Sequence, residues 1–546
     1  MKLPGFALAA ACICAAHAFA QMPTVTKLAN IYSWTPAGLP NYGTARGSIF
    51  AIFGTNLSSA TLPLQPPPLQ TSLSGVSLSV TVNGTTTQPL LYYLSPTQIN
   101  AVLPSSTPVG AGTLTVSNGA GTSAGFPIQV VESAFGLLTF NYGAGTLAGF
   151  DANNNYAYLG YSAAANPGDI LELWGTGLGP VENDAVGGPV SDAAEVDIGG
   201  IPANVLYRGR SSYVGLDQIN VQVPAGVSGC NVSVVVVTGS YVSNFATIPI
   251  ASTGRTCADA TNPLPASILA DVAQSGEFSG GLILLITNTL PVPGGGEPTA
   301  GSSYASALFT RQSASQLNPA TYPSATGQNI SAGSCIVSPS NTTSPTTPSG
   351  GVGILNAGPN VNVDGPFGDI AMPYDSEFGT PGFYAIPDGT AFLASPGDTV
   401  GFDNGGGGPD VGSFTTQAQM PVPTIWTNAA NITSVTRSAG LTVTWTPGTP
   451  GTYLSIGGIS GGVVGNTSEA QVVIAGFGCL VPAEAGQFTV PPAVLMSLPP
   501  TSEFTISASG GLSLYNAGTP VIFSAPNLDY GIVLTLLSQD ITVVYQ

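Results

Sequence analysis

Ionisable side chains are scarce in this sequence, and cationic ones are the scarcest. The 546 residues include one histidine and 8 lysines plus arginines against 27 aspartates plus glutamates, and charged residues make up 6% of the chain. Nucleic acids and anionic lipid surfaces bind through clustered lysines and arginines, so both are poor partners for this chain. The near absence of histidine also argues against hydrolysis by a serine–histidine pair.

The first 20 residues have the pattern of an export signal. Lys2 precedes an apolar run from Phe6 to Ala16, and the segment ends in the small-x-small sequence Ala18-Phe19-Ala20. We therefore expect cleavage after Ala20 and a secreted or cell-surface protein. Removing His17 and Lys2 would leave no histidine and 7 cations against 27 acids, a net charge of −20. No later apolar run approaches the ~20 residues that a membrane-spanning helix needs.

Glycine and proline are abundant, with 71 and 47 residues, while 43% of the chain is hydrophobic. Glycine and proline favour turns, and the hydrophobic fraction is large enough for an ordered core. Short apolar runs separated by such turns are typical of β-sandwiches. The sequence therefore predicts an all-β fold, with tandem immunoglobulin-like sandwiches followed by a larger β-sandwich region.

Four cysteines remain after residue 20, and an even number in an exported chain predicts disulfides. They are Cys230, Cys257, Cys335 and Cys479. Of the three possible pairings, we favour Cys230 with Cys257 and Cys335 with Cys479. A zinc site is not expected, because the chain lacks C-x-x-C spacing and has no histidine after residue 20 to share the metal.

The first half contains an internal repeat with an offset near 120 residues. Gln98-Ile99-Asn100 aligns with Gln218-Ile219-Asn220, and Ser123 aligns with Ser243. Each unit is about 100 residues long, the size of one sandwich. The strings GTGLGP, IGGIPANVLYRG, YVGLDQINVQVPAGV and VSNFATIPI resemble a module of secreted proteins from Solibacter-type Acidobacteria, which is related to the IPT/TIG immunoglobulin-like domains. The resemblance covers residues 30–252 and implies a pair of immunoglobulin-like domains at the cell exterior, with no catalytic residues.

These observations predict a domain order. The signal peptide covers residues 1–20, the first module 21–135, the second module 136–254, a linker 255–262, and one or more β-rich domains 263–546. Between the modules, AGFDANNNYAYLG is expected to form a hairpin. Short helical turns are expected only at Pro265–Gln274 and Pro492–Leu498.

Several motifs have a structural interpretation that we prefer to a catalytic one. Gly121-Thr122-Ser123-Ala124-Gly125 matches the G-x-S-x-G outline of serine hydrolases, but no imidazole is available after residue 20. Lys27, the only lysine after residue 20, does not lie in a phosphate-binding loop. We therefore assign no catalytic or cofactor-binding residue.

Carboxylates are the remaining side chains that could take part in catalysis or bind a metal ion. A glycosidase needs two acids facing each other across a cleft, and Glu172, Asp398, Asp403 and Glu484 are candidates for such an alternative function. Calcium is the candidate ion, because it binds oxygen ligands from acidic loops. The candidate ligands are Asp398, Asp403 and Asp410, with a second group formed by Glu182, Asp184, Asp192, Glu195 and Asp197.

Aromatic side chains could form a sugar-stacking surface, and we considered Tyr156, Tyr158, Tyr161 and the pair Tyr92-Tyr93. Core packing explains most tyrosines, and Trp34, Trp174, Trp426 and Trp445, at least as well. The expected function is non-enzymatic: a structural or recognition protein that binds an extracellular glycan or a surface protein. The alternatives are a glycan-active hydrolase or lyase with paired carboxylates, and a self-assembling surface-layer or filament subunit.

Overall fold

The computed structural model describes residues 21–141, 143–160, 162–190, 193–258, 277–292, 296–313, 330–340, 353–374, 383–386, 392–464, 471–501 and 510–546. The predicted signal peptide, the predicted helical turn at Pro265–Gln274, Tyr161 and Asp192 lie outside these residues. Strands are the dominant regular structure of the described part and helix is scarce, so the all-β prediction is confirmed. Among the described residues, no helix has the length and apolar character needed to cross a bilayer.

The strands between residues 24 and 131 form two sheets that pack face to face. One sheet has the order β1-β3-β8-β7 and the other β2-β11-β9-β5-β4, with β10 and β6 added to β9 and β5. Their inner faces share one apolar core that includes Ile52, Leu78, Ile99 and Leu114. The strands are β1 (Thr24–Asn30), β2 (Thr44–Ala45), β3 (Ile49–Thr55), β4 (Ser72–Leu73), β5 (Val76–Val82), β6 (Thr85–Thr87), β7 (Leu90–Leu94), β8 (Gln98–Val102), β9 (Gly110–Asn118), β10 (Gly121–Thr122) and β11 (Phe126–Val131).

The strands between residues 136 and 250 form a second sandwich from one continuous sheet, in the order β13-β14-β24-β22-β19-β20-β21-β17-β15-β16. Strand β20 pairs with β19 through its first residues and with β21 through its last, so it belongs to both layers. The strands are β12 (Gly136–Leu137), β13 (Thr139–Asn141), β14 (Ala144–Leu147), β15 (Phe150–Asp151), β16 (Ala157–Tyr158), β17 (Ile170–Thr176), β18 (Gly188–Pro189), β19 (Ala194–Ile198), β20 (Ile201–Arg210), β21 (Asp217–Gln222), β22 (Gly229–Thr238), β23 (Tyr241–Val242) and β24 (Ala246–Ile250).

The remaining strands form one large sheet and two smaller ones. The large sheet has the order β27-β37-β36-β39-β41-β25-β26-β28, and the smaller sheets are β30-β29-β32-β33 and β35-β38. The strands are β25 (Glu277–Val292), β26 (Gly296–Ser313), β27 (Cys335–Ser340), β28 (Gly353–Ile354), β29 (Asn360–Gly365), β30 (Gly368–Pro373), β31 (Phe383–Ala385), β32 (Thr399–Asp403), β33 (Thr415–Gln419), β34 (Ser434–Val435), β35 (Leu441–Thr444), β36 (Tyr453–Val464), β37 (Gln471–Pro482), β38 (Gln487–Val490), β39 (Gly510–Ala517), β40 (Val521–Ala525) and β41 (Leu528–Tyr545).

The large sheet is shared by two apolar cores. Strands β25, β26 and β41 pack against the four-stranded sheet, for example through Leu285 and Phe402. Strands β36, β37 and β39 pack against β35, β38 and a short helix α1 (Pro492–Met496), for example through Ile456 and Val494. The helical turn predicted at Pro492–Leu498 is therefore present. The described 3₁₀ turns are Ala152–Asn154, Ala429–Asn431, Arg437–Ala439 and Ala483–Ala485.

Both favoured disulfides are present, Cys230–Cys257 and Cys335–Cys479. The first ties the segment after β24 back to β22. The second joins cross-strand partners of β27 and β37. These two bonds confirm the pairing that the sequence favoured.

The repeat has the same local structure in both copies. Ser123 Oγ accepts a hydrogen bond from Val116 N at 3.0 Å, and Ser243 Oγ accepts one from Val236 N at 2.9 Å. Both serines are buried, so Ser123 stabilises a turn between strands, as the structural interpretation of its motif predicts.

Candidate binding surface

A row of side chains from five neighbouring strands crosses the outer face of the second sandwich. The opposed pairs run Tyr158–Phe150, Phe150–Glu172, Glu172–Asn220 and Asn220–Tyr207. Residues directly opposite in antiparallel strands lie on one face, with their Cβ atoms about 4.5–5.5 Å apart. We call these five residues the Glu172 face.

Strand alternation explains why this row points away from the core. Leu171 and Leu173 flank Glu172 in β17 and are fully buried, as is Ile219 beside Asn220 in β21. Successive side chains of a strand point to opposite faces, so Glu172 and Asn220 must point outward. Both are partly exposed, which leaves a polar centre between aromatic ends.

Exposed aromatic rings dominate one end of the Glu172 face. Tyr158 is 59% exposed, and its ring centroid lies 4.3 Å from that of Phe150. Phe140, at the margin of the face, is 62% exposed and lies 6.3 Å from Tyr158. Large aromatic side chains are normally buried, and a cluster of exposed ones is a feature of binding surfaces.

An ion-pair network anchors the hairpin that carries these rings. The buried Asp151 carboxylate accepts hydrogen bonds from Asn153 N at 2.8 Å and from Arg255 Nη1 at 2.7 Å. Arg255 also pairs with Asp169, and Asn153 Oδ1 accepts a hydrogen bond from Ile170 N. Burial raises the pKa of the Asp151 carboxyl, while the backbone hydrogen bond from Asn153 lowers it.

The hairpin tip has an unusual backbone. Asn155 and Tyr156 both lie in the left-handed region, with φ of 52° and 55°. A bulky residue such as tyrosine rarely adopts this conformation, and such strain persists only where the surrounding structure holds it. Tyr156 is 59% exposed, so the strained tip presents another ring to solvent. The predicted hairpin is therefore present, but it belongs to the sheet of the second sandwich instead of lying between the modules.

The polar centre of the Glu172 face is suited to binding. Burial raises the pKa of the Glu172 carboxyl. Gln218 Nε2 donates to Asn220 Oδ1 at 2.7 Å, which fixes the orientation of both amides. A carboxylate and fixed amides between aromatic rings can accept and donate hydrogen bonds to a ligand that stacks on the rings.

Each of the three calcium candidates accepts a hydrogen bond from a backbone N–H group. Asp398 accepts a hydrogen bond from Ser395 N at 2.7 Å, Asp410 accepts one from Asn356 N at 2.9 Å, and Asp403 accepts one from Gly405 N at 2.7 Å. In the described ranges, no group of three or more His, Cys, Asp and Glu side chains lies together as a metal site would require. Calcium binding by these residues stays a prediction.

The other predicted acids are dispersed. Asp184 accepts hydrogen bonds from Ser105 at the junction of the two sandwiches, and Asp197 lies in β19 beside Glu195. Glu484 lies in the 3₁₀ turn Ala483–Ala485, far along the chain from Glu172. Of the four acids considered for glycan hydrolysis, Glu172 alone lies on the aromatic surface described here.

The core interpretation of the aromatic residues is only partly right. Trp426 and Trp445 are buried, each 3% exposed, but Tyr156 and Tyr158 are exposed. Phe140 and Phe150 were not among the surface aromatics predicted from the sequence. These residues lie in separate short strands, so no periodic pattern links them.

No family model matches the chain, and no curated protein matches it. Among solved structures, the extracellular region of plexin A4 is 11% identical over 86% of this chain and 30% of its own length, with a TM-score of 0.17. This chain thus spans under a third of that region. The surface protein SGBP-B of Bacteroides ovatus, solved with a mixed-linkage heptasaccharide, is 11% identical over 38% of this chain and 45% of its own, with a TM-score of 0.19.

The S-layer protein SbsC gives a similar result. It is 10% identical over 95% of this chain and 54% of its own length, with a TM-score of 0.17. Identities and TM-scores this low carry no argument about function. The candidate surface is therefore judged on its own geometry.

Proposed function

We propose that this chain is an exported, non-enzymatic recognition protein whose second sandwich binds a glycan on the Glu172 face. The observation that carries the proposal is the cross-strand row of aromatic and polar side chains, two of whose rings stand in contact at the solvent surface. Sugar rings present apolar C–H faces that stack on aromatic side chains and hydroxyls that hydrogen-bond to carboxylates and amides.

The sequence supports the same proposal in three ways. The leader pattern and the disulfides suit an oxidising compartment outside the cytoplasm. The resemblance to IPT/TIG modules favours an extracellular pair of domains, with boundaries proposed at 21–135 and 136–254. Residues 255–262 and 263–546 would then be the linker and the C-terminal β-rich part.

Affinity electrophoresis tests the proposal. The chain beginning at Gln21 is run through gels cast with soluble neutral polysaccharides, including β-glucans, xylans and mannans. We expect retardation by at least one of them. The double variant F140S/Y158S should bind about tenfold more weakly or worse, since each lost ring contact is worth about 0.5–1.5 kcal/mol.

A second exposed ring pair provides the control. Phe367 and Phe392 lie with centroids 4.8 Å apart in the C-terminal part, and Phe367 is 59% exposed. The F367S/F392S variant also removes two aromatic rings, but away from the Glu172 face. It should migrate like the unaltered chain. Equal retardation of all three proteins, or retardation by none of the polysaccharides, would overturn the proposal.

A further inference from the structure

We propose that the first sandwich carries a second binding site, built around Lys27, that takes a carboxylate-bearing sugar such as a uronic acid residue. This inference rests on the proposed glycan-binding function of the second sandwich, and it assigns a different ligand charge to each copy of the repeat.

The first sandwich repeats the hydrogen-bonded amide pair of the second, although Asn100 is buried and Asn220 is partly exposed. Gln98 Nε2 donates to Asn100 Oδ1 at 2.8 Å, the counterpart of the bond from Gln218 to Asn220 at 2.7 Å. An aromatic residue opposes the glutamine in each copy, and a tyrosine opposes the asparagine. These pairs are Phe53–Gln98 and Asn100–Tyr93 in the first sandwich, and Trp174–Gln218 and Asn220–Tyr207 in the second.

The two copies differ in the charge beside this shared frame. Where β17 has Glu172 opposite Asn220, β3 has Ala51 opposite Asn100. The neighbouring strand β1 instead places Lys27 opposite Phe53. We call Lys27, Phe53 and Gln98, with Trp34, the Lys27 face. The Glu172 face therefore has a carboxylate at its centre, whereas the Lys27 face has an ammonium group.

Lys27 is an unusual lysine. It is half-buried, and its side-chain amine makes no hydrogen bond or ion pair with any residue in the described ranges, whereas Arg46, Arg210 and Arg255 each pair with a carboxylate. Burial lowers the pKa of the Lys27 amine from its usual 10.5. A half-buried ammonium without a counter-ion is costly, and an anionic ligand would offset that cost.

Lys27 and an aromatic ring line the same cavity. Trp34 packs on Phe53 with ring centroids 5.7 Å apart, and Trp34 and Lys27 both border a cavity of about 260 Å³. The wall of this cavity also includes residues of the second sandwich, such as Asn244, and of the C-terminal part. A second cavity of about 580 Å³ adjoins it, and Lys27 and Pro36 border both. Trp34 has φ of 54°, so its position depends on a backbone conformation that tryptophan rarely adopts.

The cavity favours a sugar acid over an acidic peptide. Its volume lies just below the roughly 300–1,000 Å³ of small-molecule pockets, which suits a ring-sized group. The aromatic ring suits stacking, and one ammonium suits one carboxylate. An acidic peptide segment could supply the carboxylate, but it lacks the sugar ring whose apolar C–H face would stack on Trp34.

The test exploits the fact that Lys27 is the only lysine after residue 20. Reductive ¹³C-methylation of the chain beginning at Gln21 labels Lys27 and the terminal amine alone. The ligands are an oligogalacturonate, its carboxyl-reduced counterpart of the same length and linkage, and tetraglutamate. We expect the oligogalacturonate alone to shift the Lys27 methyl signal and to raise the pH midpoint of its titration.

Calorimetry on unlabelled protein compares ligand binding by the unaltered chain and by its variants. The oligogalacturonate should bind about tenfold more tightly than its reduced counterpart. The K27M variant should lose this preference, K27R should keep it, and R208M, which removes one charge elsewhere, should keep it. An unchanged preference in K27M, a Lys27 shift caused by tetraglutamate alone, or no shift with any ligand would overturn the inference.

The experiments distinguish failure of this inference from failure of the proposed function. F140S/Y158S reports on neutral-glycan binding by the Glu172 face, and the Lys27 signal reports on the first sandwich. Neutral-glycan binding that persists in K27M, together with no effect of oligogalacturonate on Lys27, would contradict this inference and leave the proposed function intact.

Discussion

Arg210 is a buried cation of the second sandwich and lies beside Gly47 of the first. It is completely buried, and its Nε lies 2.6 Å from Asp217 Oδ1, which is also buried. The other oxygen of Asp217 accepts hydrogen bonds from Gly177 N and Leu178 N. Burial raises the pKa of the Asp217 carboxyl, and the Arg210 charge and these hydrogen bonds oppose that rise.

Replacing Arg210 should therefore be costly. R210M leaves a buried carboxylate without its counter-ion, and we expect a loss of about 3–5 kcal/mol in the free energy of unfolding. R46M removes the partner of the exposed Glu132 and should cost about 0–1 kcal/mol. Urea unfolding followed by tryptophan fluorescence measures both, and equal losses for the two variants would show that the buried pair has no special role.

Residue-level prediction from sequence succeeded for the cysteines and for Ser123. It failed for the residues of the candidate faces. The repeat identified Gln98 and Gln218 as equivalents, but their outward direction depends on which neighbours are buried. Lys27 lies opposite Phe53 because the pairing of β1 with β3 has a bulge between Val25 and Lys27. No local sequence pattern predicts this bulge.

Strands β25 and β41 form the parallel centre of the large sheet, and two glycines meet there. Gly281 opposes Gly531, and the rings of Phe309 and Phe523 lie over them. A Cβ on Gly531 would lie 2.5 Å from the ring of Phe523. Phe414 of the facing layer packs between the two rings, 5.8 Å and 4.7 Å from them, so neither ring can move freely.

An alanine at Gly531 should therefore destabilise the C-terminal part by about 1–3 kcal/mol, the usual cost of overpacking. G461A is the matched control in the same sheet, because the atom nearest to its new Cβ would lie 3.7 Å away. It should be neutral or stabilise by up to about 1 kcal/mol, since glycine is unfavourable within a strand. Thermal unfolding measures the stability of both variants. A G531A variant as stable as the unaltered chain would contradict this prediction, because it would mean that the rings can move aside.

The repeat also shows what sequence could not predict about the elements. The long strand β20 joins the two layers of the second sandwich, whereas its counterpart in the first is divided into β6 and β7. Pro89 lies in that break, and proline cannot donate a ladder hydrogen bond. The similarity of the two copies predicted two sandwiches but not their different sheet connections, nor the large sheet that two cores share.

At the scale of the whole molecule, the chain presents two related faces of opposite charge on an acidic protein. Its aromatic and polar surface residues come from strands far apart in sequence, held by buried ion pairs and disulfides. Such a framework is suited to holding a ligand in place. Glu172 is the one carboxylate among the five residues of the Glu172 face, whereas a glycosidase needs two facing acids.

The most direct test of this account is a single column experiment that measures binding and turnover together. The chain beginning at Gln21 is passed over the polysaccharide that retards it most, and the eluted polymer is sized by chromatography. We predict retention of the unaltered chain, loss of retention in F140S/Y158S, and polymer of unchanged length. Shortened polymer, or equal retention of the double variant, would contradict recognition without catalysis by the Glu172 face.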